Sequence, residues 1–142
     1  EAYKEAGADS ITVHKEACPD IDKTLSKIRQ LGCKVGISIN PETSISGIEN
    51  FLDKLDLILV MSVNPGFGGQ KFIPSSIEKI KKIKSLIGKR QIFLQVDGGI
   101  NDLNAPKLVQ AGANVLVAGS FIFNGKDVSD YKKNISLLRN SF

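Results

Sequence analysis

The stretch Leu57-Ile-Leu-Val-Met-Ser-Val-Asn-Pro-Gly-Phe-Gly-Gly-Gln70 decides the fold. Its first half, Leu57–Val63, is a nearly continuous apolar run, typical of a strand that is buried on both faces. A glycine-rich turn follows, and apolar residues then recur at helical spacing from Ile77 to Leu86. The stretch therefore predicts a strand, a turn and a helix in succession.

The same unit repeats on both sides of this stretch. Four other short, β-branched runs predict strands over 10–14, 35–39, 92–97 and 115–118. Helical spacing lies between the runs, at 21–31, 45–55 and 103–109. Gly32 and Gly112 follow two of these helices as end signals, and Pro74 precedes the helix that begins near Ile77. This alternation predicts an α/β fold with parallel strands, and no linker divides residues 1–142, so we expect one domain.

The composition excludes several classes of protein. The 142 residues are 42% hydrophobic and 24% charged, with a formal net charge of +4. No apolar run approaches the roughly 20 residues that cross a bilayer, and the first residues lack the pattern of a secretory signal. We therefore expect a cytoplasmic protein with no membrane partner. Cys18 and Cys33 have no second Cys or His nearby, and we interpret them as free, packed thiols.

The basic residues do not indicate nucleic-acid binding. Their densest group alternates with the isoleucines of the helix that begins near Ile77, so it forms the solvated side of that helix: Lys79, Lys81, Lys82, Lys84, Lys89 and Arg90. No aromatic residues are interleaved with them to stack on bases. We therefore expect no nucleic-acid partner.

Five strand-helix units are fewer than the eight of a TIM barrel, which typically has about 250 residues. Residues 1–6 read as the end of a helix closed by Gly7, without an N-terminal cap. From this we expect the natural chain to start further upstream. The fold is then either an open five-stranded sheet or the later part of a barrel.

Polar and glycine-rich residues follow the strands instead of preceding them, which places the chemistry at the carboxyl edge of the sheet. Three turns after consecutive strands carry glycines: Gly66-Phe67-Gly68-Gly69, Gly98-Gly99 and Gly119-Ser120. Such turns bring backbone N–H groups close to an anion, and together they predict a phosphate site. The spacing fits neither a dinucleotide fingerprint nor a Walker loop, so a small phosphorylated metabolite is the expected ligand.

Asp97 ends a strand directly before two glycines, where it could serve as a general acid or base or as a metal ligand. The alternative is a turn cap, which we consider weaker because no helix follows. His14 is the only histidine, with Glu16 two residues on, and we assign it no chemical step. Met61 is either core filler or an apolar contact for a substrate.

In this order and spacing, the sequence resembles the ribulose-phosphate 3-epimerase family. The blocks that carry the resemblance are Ile11-Thr-Val-His14-Lys-Glu16, Gly36-Ile-Ser-Ile-Asn40-Pro41, Val60-Met-Ser-Val-Asn-Pro-Gly-Phe-Gly-Gly-Gln-Lys-Phe72, Val96-Asp-Gly-Gly-Ile100 and Val117-Ala-Gly-Ser120. The resemblance implies a ribulose-phosphate binding TIM barrel, here a partial barrel of about five βα units. It also implies reversible epimerisation between D-ribulose 5-phosphate and D-xylulose 5-phosphate. In the family, two carboxylates act on opposite faces of carbon 3, with a divalent metal that is commonly zinc or iron(II), manganese and cobalt being further options.

Carried over to this sequence, the resemblance makes Asp97 the second catalytic carboxylate and a metal ligand. It makes a further set of residues contacts for the substrate and its phosphate: Met61, Gly66, Phe67, Gly68, Gly69, Gly98, Gly99, Gly119 and Ser120. The family's first catalytic aspartate and its metal-binding histidines belong to strands that this sequence does not contain, so the metal site is incomplete here. We therefore expect the isolated 142-residue chain to be inactive and, with unpaired barrel edges, to self-associate.

The complete enzyme is expected to be a homo-oligomer that acts on a small sugar phosphate. Two alternatives stay open on the sequence. One is a related sugar-phosphate epimerase, such as one acting on allulose 6-phosphate. The other is a non-catalytic half-barrel that only binds a phosphorylated ligand.

Overall fold

The computed structural model describes residues 1–142 as five parallel strands alternating with helices. The strands are β1 (Ser10–His14), β2 (Lys34–Ile39), β3 (Leu57–Met61), β4 (Phe93–Asp97) and β5 (Val115–Val117). The α-helices are α1 (Ala2–Glu5), α2 (Ile21–Gln30), α3 (Ser76–Ile87), α4 (Ala105–Gln110) and α5 (Val128–Arg139). Three 3₁₀ segments lie at Lys15–Ala17, Ile48–Lys54 and Ile122–Asn124.

The strands pair in chain order, β1-β2-β3-β4-β5, and every pair is parallel. Consecutive parallel order is the arrangement of a TIM barrel, in which each strand returns beside its predecessor after a helix. β1 and β5 each pair with one neighbour only. The predicted α/β fold with parallel strands is confirmed, as a partial barrel whose sheet is open at both edges.

β2 is buried on both faces, as expected, whereas β3 and β4 are buried mainly on one face, which corrects the expectation for those two strands. Ile58 and Val60 of β3 are fully buried, whereas Leu57, Leu59 and Met61 are only half-buried. Because side chains alternate along a strand, the first set packs against the helices and the second lines the concave face. The helix-side core includes Leu25, Ile80, Ile83 and Leu108. The helices thus fix the sheet from outside and leave the concave face to the site.

The segment predicted as a helix over 45–55 is a 3₁₀ helix over Ile48–Lys54. Gly47 precedes it with φ +84°, and the amide of Asn50 bonds to the carbonyl of Gly47, three residues back. This tighter winding is confined to short segments. β3 also ends at Met61 and not at Val63, because the carbonyl of Ser62 turns to accept from the amide of Ile73.

Lys79 departs from the prediction that the lysines of α3 are solvated. Its Nζ donates to the carbonyls of Asn40, Pro41 and Thr43 at 2.9, 2.6 and 2.8 Å. Burial lowers the pKa of this ammonium group below its ordinary value, while Glu42 and Glu16 oppose that shift. Lys79 therefore fastens the loop after β2 to α3.

At the amino-terminal ends of the strands, side chains accept hydrogen bonds from the backbone of the sheet. The carboxylate of Asp56 accepts from the amide of Val35 at 2.7 Å and from Arg29 at 2.8 Å. The side chain of Asn114 likewise accepts from the amide of Leu94 at 2.8 Å. These bonds stabilise the sheet at the amino-terminal ends of its strands, and the glycine turns lie at the carboxyl ends.

Candidate active site

The carboxyl ends of β3, β4 and β5 meet around one cavity of about 330 Å³. Every residue predicted for the site lines it: Met61, Gly66, Phe67, Gly68, Gly69, Asp97, Gly98, Gly99, Gly119 and Ser120. The register explains this convergence, because Asp97 pairs with Met61 on one side and with Val117 on the other. Turns that leave these three strands at the same level must meet above them.

Asp97 is the only ionisable side chain that lines the cavity. It ends β4 on the concave face, half-buried between Met61 and Val117. Burial raises the pKa of its carboxyl above the ordinary value, since the charged form loses water there. A carboxyl whose pKa is moved upwards, toward neutral pH, is better suited to taking up and returning a proton.

The turn at residues 64–70 is held by its own glutamine. The side-chain amide of Gln70 donates to the carbonyls of Asn64 and Phe67 at 2.8 and 3.0 Å. Phe67 stands at the tip with 79% of its surface exposed. A Cβ atom on Gly68 or Gly69 would meet nothing within 4 Å. This turn is therefore braced from within, and its two last glycines open toward the cavity.

Gly98 and Gly99 have a packing role that the sequence did not reveal. A Cβ atom on Gly98 would lie 2.7 Å from the side chain of Val63, and one on Gly99 would lie 2.5 Å from the amide nitrogen of Phe72. Both have positive φ, +126° and +63°. The pair lets the turn after β4 press against the segment after β3, and the side chain of Asn104 holds the carbonyl of Gly99 at 2.9 Å.

Two of the turns that line the cavity carry backbone donors without a protein acceptor. The N–H groups of Gly98, Gly99, Gly119 and Ser120 donate to no protein acceptor. Gly119 and Ser120 are exposed at the end of β5, directly before the 3₁₀ segment Ile122–Asn124. Peptide N–H groups in this arrangement form a concave surface of partial positive charge that suits a phosphate.

His14 and Glu16 lie at the same edge but outside the cavity. Their side chains are 3.4 Å apart, and Glu16 also accepts from the amide of Asn40 at 2.8 Å. Burial alone would raise the pKa of Glu16, yet hydrogen bonds from Thr43 and Asn40 hold it below its ordinary value. Glu16 thus serves the loop after β2, and His14 joins no catalytic group.

The residues of this chain do not form a complete metal site. No group of three or more His, Cys, Asp or Glu side chains is close enough to hold an ion. Asp97 stands in the cavity as a single carboxylate, with Met61, Val117 and glycines around it. A tightly bound divalent ion needs several such ligands. One ligand is what these residues offer.

A larger cavity of about 700 Å³ lies elsewhere, along the open edge of β1 and against α2. Its lining combines Ile11, Val13 and Ile28 with the aliphatic stems of Lys23 and Lys27. It is the groove left where β1 has no further strand beside it. It contains no glycine turn, so we place the site at the smaller cavity.

Two residues of the site were missed in the sequence. No role was predicted for Gln70 from the sequence, although a polar side chain that closes a glycine turn is a recognisable pattern. Ser62 is completely buried at the end of β3 and bonds to the turn after β4. Its signal was a hydroxyl residue within the apolar run Leu57–Val63.

Comparison with known proteins agrees with this geometry. The sequence model of the ribulose-phosphate 3 epimerase family matches residues 1–123. The chain belongs to this family. It is 48% identical over 143 residues to a ribulose-phosphate 3-epimerase of Bacillus subtilis and 47% identical over 142 residues to one of Rhodobacter capsulatus. These alignments cover 99% and 98% of the chain but only 64% and 62% of the two relatives.

The chain thus spans less than two thirds of the length of these epimerases. Among solved structures, it resembles a 3-keto-L-gulonate-6-phosphate decarboxylase of Vibrio cholerae with a TM-score of 0.70. That match has 17% sequence identity and covers 97% of this chain and 62% of the other. At this identity the match supports the barrel-type fold alone. No helix of the chain is long and apolar enough to cross a membrane.

Proposed function

We propose that the chain carries the phosphate cradle and one of the two catalytic carboxylates of a ribulose-phosphate 3-epimerase. The reaction is the reversible interconversion of D-ribulose 5-phosphate and D-xylulose 5-phosphate. The observation that supports this most is that the half-buried Asp97 and the unpaired amides of Gly99, Gly119 and Ser120 belong to residues that line the same cavity. Family membership supplies the reaction, and the cavity supplies groups that fit it.

In this proposal the phosphate is bound by the amides at the ends of β4 and β5. These donors are fixed by the sheet, so they need little reorganisation when the anion arrives. The sugar then extends toward Met61 and Asp97, which lie side by side in register. The thioether of Met61 contacts the planar carbons, and binding at the distant phosphate orients carbon 3 for reaction.

Asp97 exchanges a proton with one face of carbon 3. Its carboxylate removes the proton beside the ketone, which leaves a planar enediolate, and in the reverse direction it returns a proton to the same face. Inversion also requires an acid on the other face, and none lines the cavity. We assign that acid to residues outside these 142, in line with the greater length of the relatives.

Asp97 is also the one residue that we propose as a ligand for a divalent metal such as zinc or iron(II). The remaining ligands would likewise lie outside these residues, because the chain contains no cluster of three candidates. The assignments to Asp97 and to the phosphate cradle do not depend on that ion.

The single acid also favours a second candidate function for the 142 residues taken alone. With one carboxylate and several free amides, the chain would bind a phosphorylated sugar without inverting it. We therefore expect the isolated chain to lack turnover but to retain affinity for inorganic phosphate. Amide NMR shifts on phosphate addition should concentrate at Gly99, Gly119 and Ser120, with Gly7 as an internal control far from the site.

The deciding experiment compares Asp97→Asn with Asp102→Asn in the full-length protein. Asp102 lies five residues further along the chain, is exposed and does not line the cavity. Its substitution therefore controls for the replacement of an aspartate by an asparagine. In a coupled assay of D-ribulose 5-phosphate epimerisation, we expect Asp97→Asn to lose about 10²- to 10⁴-fold in kcat and Asp102→Asn to keep wild-type turnover. Equal turnover of the two variants would refute the role of Asp97.

The same assay separates the sugar substrates. We expect D-ribulose 5-phosphate to give a higher kcat/KM than allulose 6-phosphate, since the resemblance is to the pentose enzymes. A preference for the six-carbon substrate would keep the chemistry at Asp97 and change the assignment of the substrate.

A further inference from the structure

We propose that Ser62 is a positioning residue that fixes the two backbone carbonyls of the Asp97-Gly98 dipeptide and thereby aims the Asp97 carboxylate into the cavity. This inference rests on the proposed epimerase function. Ser62 itself does not line the cavity, so it acts only through Asp97.

The contacts of Ser62 converge on that dipeptide. Its hydroxyl Oγ lies 2.7 Å from the carbonyl oxygen of Gly98 and 3.0 Å from that of Asp97. Its backbone amide donates to the same Asp97 carbonyl at 2.8 Å. Two consecutive carbonyls are thus held by one residue, at the point where β4 gives way to the glycine turn.

Ser62 also connects this peptide to the other side of the site. Its carbonyl accepts from the amide of Ile73 at 2.8 Å, just beyond the glycine-rich turn at residues 64–70. Ser62 therefore stands between the two turns that border Asp97. Because Gly98 has φ +126° and no side chain, the peptide has more conformational freedom than an ordinary one, and the hydroxyl restricts it.

The hydroxyl is required for this purpose and not for filling space. Ser62 has no exposed surface, and a buried hydroxyl is retained at a cost unless it makes hydrogen bonds. Ser38 on β2 offers the contrast. It is also buried, at 1% exposure, but its Oγ has no partner. The hydroxyl of Ser62 thus bonds to two carbonyl oxygens, whereas the hydroxyl of Ser38 bonds to no group in the chain.

The expected kinetic signature follows from how the neighbouring groups are anchored. Gly99 is held independently, by Asn104 and by its contact with Phe72. Loss of the Ser62 hydroxyl should therefore misdirect Asp97, while the phosphate amides of Gly119 and Ser120, to which Ser62 makes no bond, stay in place. Since a misplacement of about 1 Å can cost about 100-fold in rate, we expect kcat to fall by about 10- to 100-fold, with KM changed by less than about threefold.

The experiment measures kcat, KM and Tm for Ser62→Ala, Ser62→Thr and Ser38→Ala in the full-length protein, well below the Tm of each. We expect Ser62→Ala to lower kcat as above, Ser62→Thr to recover part of the loss by keeping a hydroxyl, and Ser38→Ala to retain wild-type kcat. If Ser62→Ala does not fold, Ser62→Cys takes its place, because a thiol keeps the volume but is a weak donor.

Several results would overturn the inference. Wild-type kcat in Ser62→Ala, or in Ser62→Cys where that variant is needed, would show that the hydroxyl does not position Asp97. An equal loss of kcat in Ser38→Ala would make the effect one of general packing. If the wild-type protein shows no epimerase turnover, both the proposed function and this inference are wrong. A loss of kcat that is confined to the Ser62 variants leaves the proposed function intact.

Discussion

The close contact between the two glycine turns can be tested by adding one methyl group at three positions. Gly99→Ala introduces a Cβ atom 2.5 Å from the amide nitrogen of Phe72 and 2.9 Å from the carbonyl oxygen of Gln70, at a residue with φ +63°. Gly69→Ala has a similar φ of +81° but nothing within 4 Å. Gly119→Ala has neither a positive φ nor a near neighbour.

The series separates backbone strain from overpacking. An alanine in the left-handed region costs about 1–2 kcal/mol, and overpacking against fixed atoms adds about 1–3 kcal/mol. We therefore expect free energies of unfolding to fall by about 2–5 kcal/mol for Gly99→Ala and about 1–2 kcal/mol for Gly69→Ala. Gly119→Ala should stay within about 0.5 kcal/mol of the wild type. The contact atoms at Gly99 are backbone, which cannot rotate away as a side-chain end could.

The measurement is equilibrium urea unfolding of the full-length protein, followed by circular dichroism, with kcat recorded in parallel. Because Phe72 follows the glycine-rich turn, Gly99→Ala should also lower kcat in the molecules that remain folded. If Gly99→Ala is no less stable than Gly69→Ala, the two turns do not meet as described. The reasoning about the cavity would then fail with it.

Three further predictions concern charge and association. Asp97→Asn should raise the Tm at pH 7. The pKa of Asp97 is raised in the folded state, so the wild-type protein loses stability as the pH rises through that pKa, and the asparagine variant does not. The difference in Tm should vanish at a pH below the ordinary Asp pKa of about 3.9. Lys79→Met should cost about 1–2 kcal/mol in urea unfolding by releasing three carbonyls, whereas exposed Lys82→Met should change stability by less than about 0.5 kcal/mol. The isolated 142-residue chain should self-associate in light scattering through its open edges, and a monomer with a cooperative melt would contradict this.

The order and type of the main elements could be predicted because several independent signals agree at each of them. The apolar run at Leu57–Val63 has the length of a strand and ends at Asn64-Pro65-Gly66, and the isoleucines after it recur at helical spacing. Positive φ at Gly32 and Gly112, +75° and +114°, confirms the predicted helix ends. Parallel pairing in chain order then follows from the crossovers, so the convergence of the strand ends required no knowledge of side-chain contacts.

The parts that could not be predicted depend on long-range contacts or on weak periodicity. The helix Val128–Arg139 was not predicted; it has one buried residue, Leu138, so its apolar pattern is faint. The 3₁₀ winding of Ile48–Lys54 depends on Gly47 and on packing that spacing does not encode. A hydroxyl residue within an apolar run marks Ser62, but its bonds to residues 35 and 36 positions away along the chain cannot be predicted from the local sequence.

The two ends of the strands differ in how their polar groups affect the stability of the fold. At the amino-terminal edge, polar groups such as Asp56 and Asn114 are paired and stabilise the strands. At the carboxyl edge, a half-buried carboxylate resists ionisation, two glycines adopt positive φ, and several amides have no partner. The desolvated carboxylate lowers stability at neutral pH, and it borders the same cavity as the two glycines and the unpaired amides. A desolvated charge is tolerated where binding or catalysis requires it, so the placement of Asp97 beside unpaired amides is itself an argument for function there.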